Sequence, residues 1–188
     1  MLWFAIAVVA IIVLIPLLTV WSCYNGLIAR RNKGRQALSG VYIQLKRRSD
    51  LIPNLVEVVK GYAKYERETL ERITSLRKTL LATPDTDAVA MQQVAQGMSQ
   101  AFGRIFALAE AYPDLKASQS YLKLQEELSE TEDQIAAARR IYNGNVTEYN
   151  TSTEQFPSNV VARRYGFVPL NLFEEDVAAN QVPDTSGI

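Results

Sequence analysis

The sequence contains no histidine and one cysteine, Cys23. Without histidine there is no imidazole base, no Ser-His or Cys-His nucleophile and no imidazole metal ligand. A lone cysteine excludes an intrachain disulfide and a cysteine zinc cluster. Aromatic residues make up only 9% of the chain and the net charge is zero, which gives no support for nucleic-acid binding. Proline is scarce between Pro16 and Pro157, where only Pro53, Pro84 and Pro113 occur, so long uninterrupted elements are expected. There is no Gly-rich phosphate loop, metal-ligand cluster or nucleophile motif. Lysine or carboxylate chemistry stays formally open. Glu66, Glu68 and Glu71 lie within two helical turns, as an acid–base pair would require. However, Lys64 and Arg72 flank Glu68 at four residues, and Arg67 precedes Glu71 by four, which is ordinary surface pairing. The expectation is a protein that is not an enzyme and has no catalytic residues, cofactor or metal.

What the chain does have begins at its N-terminus. Leu2 to Trp21, LWFAIAVVAIIVLIPLLTVW, is an uncharged run of twenty residues. At 1.5 Å per residue it spans about 30 Å, the thickness of a bilayer core. Trp3 and Trp21 fall near its two ends, where interfacial aromatics belong. Pro16 is tolerated in a membrane helix. Arg30, Arg31, Lys33 and Arg35 follow the run, and by the positive-inside rule they place residues 22–188 in the cytoplasm and the N-terminus outside, in a single pass. A cleaved signal peptide would need a basic n-region, which is missing. A lipoprotein reading would acylate Cys23 in VWSC, but bulky Trp21 two residues before the cysteine fits that signal poorly. The simpler reading of Cys23 is an inert interfacial thiol.

Beyond the anchor the pattern is helical throughout. Tyr24, Leu27, Leu38, Val41 and Leu45 keep three- and four-residue spacings, so the anchor continues as a stem to about Arg48. Arg31 and Gly34 interrupt this stripe. Either they leave room for a neighbouring helix, or the stretch is frayed near the lipid head groups. In SDLIP, Asp50 is a candidate N-cap and Pro53 suits a first helical turn, which predicts a chain reversal and a second helix to about Ala82. Its stripe is Ile52, Leu55, Val59, Tyr62, Leu70, Ile73, Leu76 and Leu80. TPDTD breaks it, with Asp85 or Asp87 as the next cap. A third helix carries Met91, Val94, Met98, Ala101, Ile105, Leu108 and Tyr112. A fourth, from about Ser118 to Gln155, carries Tyr121, Leu124, Leu128, Thr131, Ile135, Ala138, Tyr142 and Tyr149, with Asn145 and Ser152 on the same seam and Phe156 just past its end. Nothing alternates with period two, so no sheet is expected. The predicted fold is all-α: a transmembrane helix (1–23), an antiparallel bundle of coiled-coil-like helices (24–156), an apolar closing segment (157–173) and a polar tail (174–188). Short connections join antiparallel neighbours, and the long fourth helix should return to the lipid surface.

At this point two motifs carry a resemblance. YNGLIARRN (24–32), followed by IQLKRRSDLIPNLVEVVKGYAKYE (43–66), closely resembles the LemA family, and FPSNVVARRYGF (156–167) resembles that family's closing motif. The resemblance covers most of the chain. It implies a bacterial protein with an N-terminal membrane helix and an antiparallel helical bundle. It also implies membrane organisation or shaping, as for some members, or association with a membrane protease, as suggested by the genes near others. Tyr42 and Tyr65 depart from the family, which usually has Asp and His there, so no role of those two groups transfers to this chain.

Two surfaces are candidates for function. Residues 1–80 carry 13 Lys/Arg against 5 Asp/Glu, and residues 81–188 carry 7 against 15. Such halves attract each other, within a chain or between copies. Lys46, Arg47 and Arg48 end the stem about 39 Å beyond the anchor, out of reach of their own membrane's head groups. They are expected at a basic distal tip, opposite Asp114, Glu126 and Glu127, with Glu130, Glu132 and Asp133 further down. Ion pairing inside the chain is the simpler reading. Binding an acidic partner or another protomer is the alternative. The second surface is membrane-proximal: Trp21, Arg30, Arg31, Lys33 and Arg35 beside the anchor, and Arg163, Arg164 and Phe167 in NVVARRYGFVPLNLF (159–173). That segment either lies at the lipid interface or closes the bundle. The expected partners are membrane lipid, further copies of the chain in a homo-oligomer, and a membrane-bound protein. The expected role is a self-associating membrane scaffold. The alternative is an adaptor that presents its bundle to a membrane-bound partner such as a protease.

Overall fold

The computed structural model describes residues 2–62 and 67–173. Among the described residues every regular element is a helix: α1 (Leu2–Asp50), α2 (Ile52–Tyr62), α3 (Arg67–Ala82), α4 (Ala88–Ala111), α5 (Pro113–Lys116), α6 (Gln119–Glu154) and α7 (Ser158–Tyr165). These form two compact units. One holds residues 2–37 and 140–172, the other residues 38–139 and Phe173. The polar tail expected over 174–188 lies outside the described residues.

In the 38–139 unit, α1 and α6 run antiparallel, with Arg47 opposite Glu130 and Arg48 opposite Glu132. Helix α2 extends this pairing: Asn54, Glu57 and Val58 share a surface with Ser120, Lys123 and Glu127 of α6. Only Leu51 separates α1 from α2, and the Leu55 amide donates to the Leu51 carbonyl at 3.0 Å. The chain therefore does not reverse at SDLIP, as the sequence suggests, but continues past it. Residues 63–66, over which the second helix was expected to continue, lie outside the described residues, but a single helix from 50 to 82 is ruled out. In one helix, 27 residues of separation would place Arg77 about 40 Å from Asp50. Instead Arg77 Nη2 lies 3.2 Å from Asp50 Oδ1. Asp50 ends α1 and pairs with Arg77 rather than capping α2.

Asp87 is the cap of α4; its carboxylate accepts from the Ala90 amide at 2.9 Å. Helix α4 buries Met91, Val94, Met98, Ala101 and Ile105, as its spacing predicts, buries Phe102 besides, and then turns its Ala109 inward, leaving Leu108 and Tyr112 half-buried. The stripe of α2 and α3 is buried at Ile52, Leu55, Val59, Leu70, Ile73 and Leu80, but Tyr62 is exposed.

In the other unit, the C-terminal part of α6 packs against α1. Leu27, Tyr149, Val161, Ala162 and Phe167 form its core, with Cys23, Ile28 and Leu170 against it. Gly34 is buried here: a Cβ would lie 3.3 Å from Leu170 Cδ1, so its missing side chain leaves room for Leu170 of the returning segment. Helix α7 ends at Gly166 in the left-handed region (φ 72°), which reverses the chain. Residues 167–172 then run back along α6. The described side chains of Leu2–Val20 are exposed except Thr19, and α1 contains the one stretch among the described residues long and apolar enough to cross a membrane.

Candidate functional site

The KRRSDLIP stretch is an internal junction, not a tip. Arg48 is only 5% exposed. Its guanidinium lies 4.5 Å from the Phe102 ring centre, donates to Ser99 Oγ at 3.2 Å, and sits 2.6 Å from Glu132 Oε2. A charge this deep needs such partners, and Arg supplies several donors and a flat face for the aromatic ring. The expectation of an exposed Arg48 is corrected by this burial. Arg47 and Lys46 are exposed; Arg47 meets Glu130 at 3.4 Å, both ends in solvent.

Pro53 adds the second half of the junction. Without an N–H it cannot satisfy the carbonyl four residues back, that of Ser49. Arg77 Nε donates to that oxygen at 3.1 Å, while its Nη2 holds Asp50. Sequence reasoning missed Arg77, although an arginine about one and a half turns from the end of α3 was a visible signal.

Asp114 and Glu126 are exposed and Glu127 is half-buried, 3.9 Å from Lys123. Glu126, Glu130 and Asp133 line a shallow groove on α6 with Leu122, Gln125 and Ser129. A larger cleft, ≈ 740 Å³, opens between α2 and α3, lined by Val56, Lys60, Arg67, Leu70, Thr74 and Lys78 among others. Arg67 pairs with Glu71 at 2.6 Å across one turn, the surface pairing its spacing predicts.

The membrane-proximal candidates divide between two environments. Phe167 is 8% exposed and closes the core, with Arg31 over its ring at 5.1 Å. Its expected place at a lipid interface is therefore corrected: the φ of Gly166 turns it inward. Arg163, Arg164, Lys33 and Arg35 are exposed, as is Trp21 at 68%. Arg30 pairs with Glu148 at 3.0 Å. Cys23 is a free thiol packed on the core.

The returning segment is held by side chains of α6. Tyr142 and Tyr149 donate to the carbonyls of Asn171 and Val168 at 2.7 and 2.9 Å. The Asn150 amide takes both backbone groups of Leu170, each at 2.9 Å, as a paired strand would. Burial pushes both phenols above the ordinary tyrosine range; the nearby Arg31 and Arg35 pull Tyr149 partly back. By contrast, Asn145 and Ser152 only bond back to carbonyls four residues earlier.

Comparison with known proteins adds relatives. A family model described as the LemA family matches residues 37–186. A protein named LemA from Metamycoplasma hominis is 31% identical over 162 residues, 86% of this chain and 74% of its own. The magnetosome protein MamQ of Magnetospirillum gryphiswaldense is 23% identical over 200 residues, covering 94% and 73%. Magnetosome protein MamQ 2 of Paramagnetospirillum magneticum is 23% identical over 181 residues, covering 84% and 66%.

Proposed function

The chain belongs to the LemA family, and on that premise we propose that it is a non-enzymatic membrane-anchored scaffold that self-associates at the cytoplasmic face of a bacterial inner membrane and organises that membrane. The observation that carries this reading is the continuity of α1. One helix holds an apolar run whose described side chains are exposed and, further along, the buried Leu38, Val41 and Leu45 of a packed helical unit. An exposed apolar surface of that length asks for lipid. Two magnetosome proteins among the relatives support an association with membranes.

Self-association draws support from the distribution of charge. Exposed Lys46 on α1 and Glu126 and Asp133 in the groove of α6 are complementary surfaces that another copy can meet, and the solvent-exposed Arg47–Glu130 pair can exchange partners between copies. The test is co-purification of two differently tagged copies expressed together. Purification of a scaffold through one tag brings the differently tagged copy along at low salt. Recovery of the first copy alone would overturn self-association.

One observation favours the adaptor as a second reading. The cleft between α2 and α3 combines Val56 and Leu70 with Lys60, Arg67 and Lys78, the lining that an acidic, partly apolar segment of a membrane-bound partner would need. Substituting Lys60→Glu and Lys78→Glu would then release such a partner while copies still co-purify.

A further inference from the structure

We infer that Phe156 and the outward face of α7 form a second membrane contact, seated on the anionic headgroup layer of the bilayer that α1 enters. This rests on the anchored reading of α1 and adds a lipid site to it.

Arg30 Nε meets Glu148 Oε1 at 3.0 Å, and Leu27 and Tyr149 share one core, so α6 descends antiparallel to α1. From Glu148 to the end of α6 at Glu154 the helix drops about 9 Å, which brings it level with Tyr24. The rings there confirm the level: Tyr24 lies edge-on to Tyr165 and Phe167, with centroids 5.0 and 5.6 Å apart. Phe156 follows at about the height of Trp21, the last residue of the uncharged run.

Helix α7 divides into two faces. Val161 and Ala162 are buried. Val160, Arg163 and Arg164, at spacings of three and four, point outward, and Phe156, in the turn just before the helix, is 83% exposed. Tyr165 and Val168 extend the exposed apolar edge. Large apolar groups that a soluble surface would bury alternate here with arginines, the composition of an interfacial helix.

No Asp or Glu occurs between Glu154 and Glu174, and none occurs on α1 before Asp50. In a half of the chain dominated by carboxylates, the one segment brought level with the span carries Arg163 and Arg164 and no acid. An anionic lipid surface is complementary to that pattern, and an acidic surface on a second copy is the rival occupant.

The test uses the full chain in vesicles of phosphatidylcholine with phosphatidylglycerol, in a background of Trp3→Phe and Trp21→Phe. Phe156→Trp reports the proposed contact and Ile11→Trp reports the span. Lipids brominated near the headgroup or near the chain end act as quenchers. The expected result is blue-shifted Phe156→Trp emission, quenched by shallow bromines more than by deep ones, and the reverse preference for Ile11→Trp. Adding Arg163→Glu and Arg164→Glu should cut the shallow quenching at least about twofold, through lost attraction to the anionic surface, and leave Ile11→Trp unchanged. Quenched Ile11→Trp with unquenched Phe156→Trp overturns the second contact and leaves the anchor standing. Blue-shifted but unquenched Phe156→Trp emission that fades as protein is diluted in lipid overturns it in favour of a second copy. Unquenched Ile11→Trp overturns the anchor and the contact together.

Discussion

Arg77 donates its Nε to the Ser49 carbonyl at 3.1 Å, replacing the donor that Pro53 lacks. The chain can therefore carry a proline between α1 and α2 without leaving a buried acceptor unpaired. Removing the guanidinium by Arg77→Met should cost about 1.5–3 kcal/mol, the worth of hydrogen bonds to a charged group. Pro53→Ala restores a helical donor, so the same change should cost about 1 kcal/mol less in that background. Thermal melts of the four chains in detergent, followed by circular dichroism, measure this coupling; strict additivity would deny it.

Arg48 and Arg47 are adjacent in sequence but differ in burial. Glu132→Gln strips the buried Arg48 of its counter-charge and should destabilise the chain by about 3 kcal/mol, less to the extent that Glu132 itself reaches solvent. Glu130→Gln breaks an exposed pair and should cost about 0–1 kcal/mol. Denaturant titration of both variants checks the ranking.

The helical periodicity predicted the burial of Ile105, and it is fully buried on α4. Ile105→Ala should cost about 2–5 kcal/mol by the cavity it leaves. A loss under about 1 kcal/mol in the same titration would mean the site collapses freely.

Legibility followed period. The three- and four-residue spacing of Met91, Val94, Met98 and Ile105 fixed one face of α4, and the spacing of Tyr121, Leu124, Leu128 and Ile135 one face of α6, because burial and helix geometry share one repeat. Pro53 was legible as a helix start but misleading as a reversal. A proline marks a missing donor, and only the distant Arg77 decides whether the chain must turn away or can carry on. Arg48 was read as exposed because charge usually is; Phe102, Ser99 and Glu132 come from other helices, and their convergence leaves no local signature. Phe167 was read with its neighbours as one apolar surface, yet the positive φ of Gly166 sends it inward and leaves Phe156 and Val160 outside.

Alkaline pH should loosen the unit of residues 2–37 and 140–172. The Tyr142 and Tyr149 phenols hold their protons more tightly when folded, chiefly through burial. The unfolded chain then binds fewer protons above about pH 10. Their contribution is full below that pH and disappears as pH rises through the folded values. Tyrosinate absorbance should show a late phase that shrinks in Tyr149→Phe, and stability should fall only above the ordinary tyrosine range.

Charge reversal at the exposed cations separates assembly from folding. Lys46→Glu with Arg47→Glu should leave helix content and melting nearly unchanged, since exposed pairs contribute about 0–1 kcal/mol each. If copies meet through these residues, the double change and high salt should both shift the particle to smaller sizes, because repeated weak contacts act together.

The most direct measurement is the native mass of the full chain extracted with its lipid at low salt. The scaffold account predicts a uniform particle containing several copies of the 21.0 kDa chain. A particle holding one chain and its lipid belt, unchanged as protein concentration rises, would contradict it.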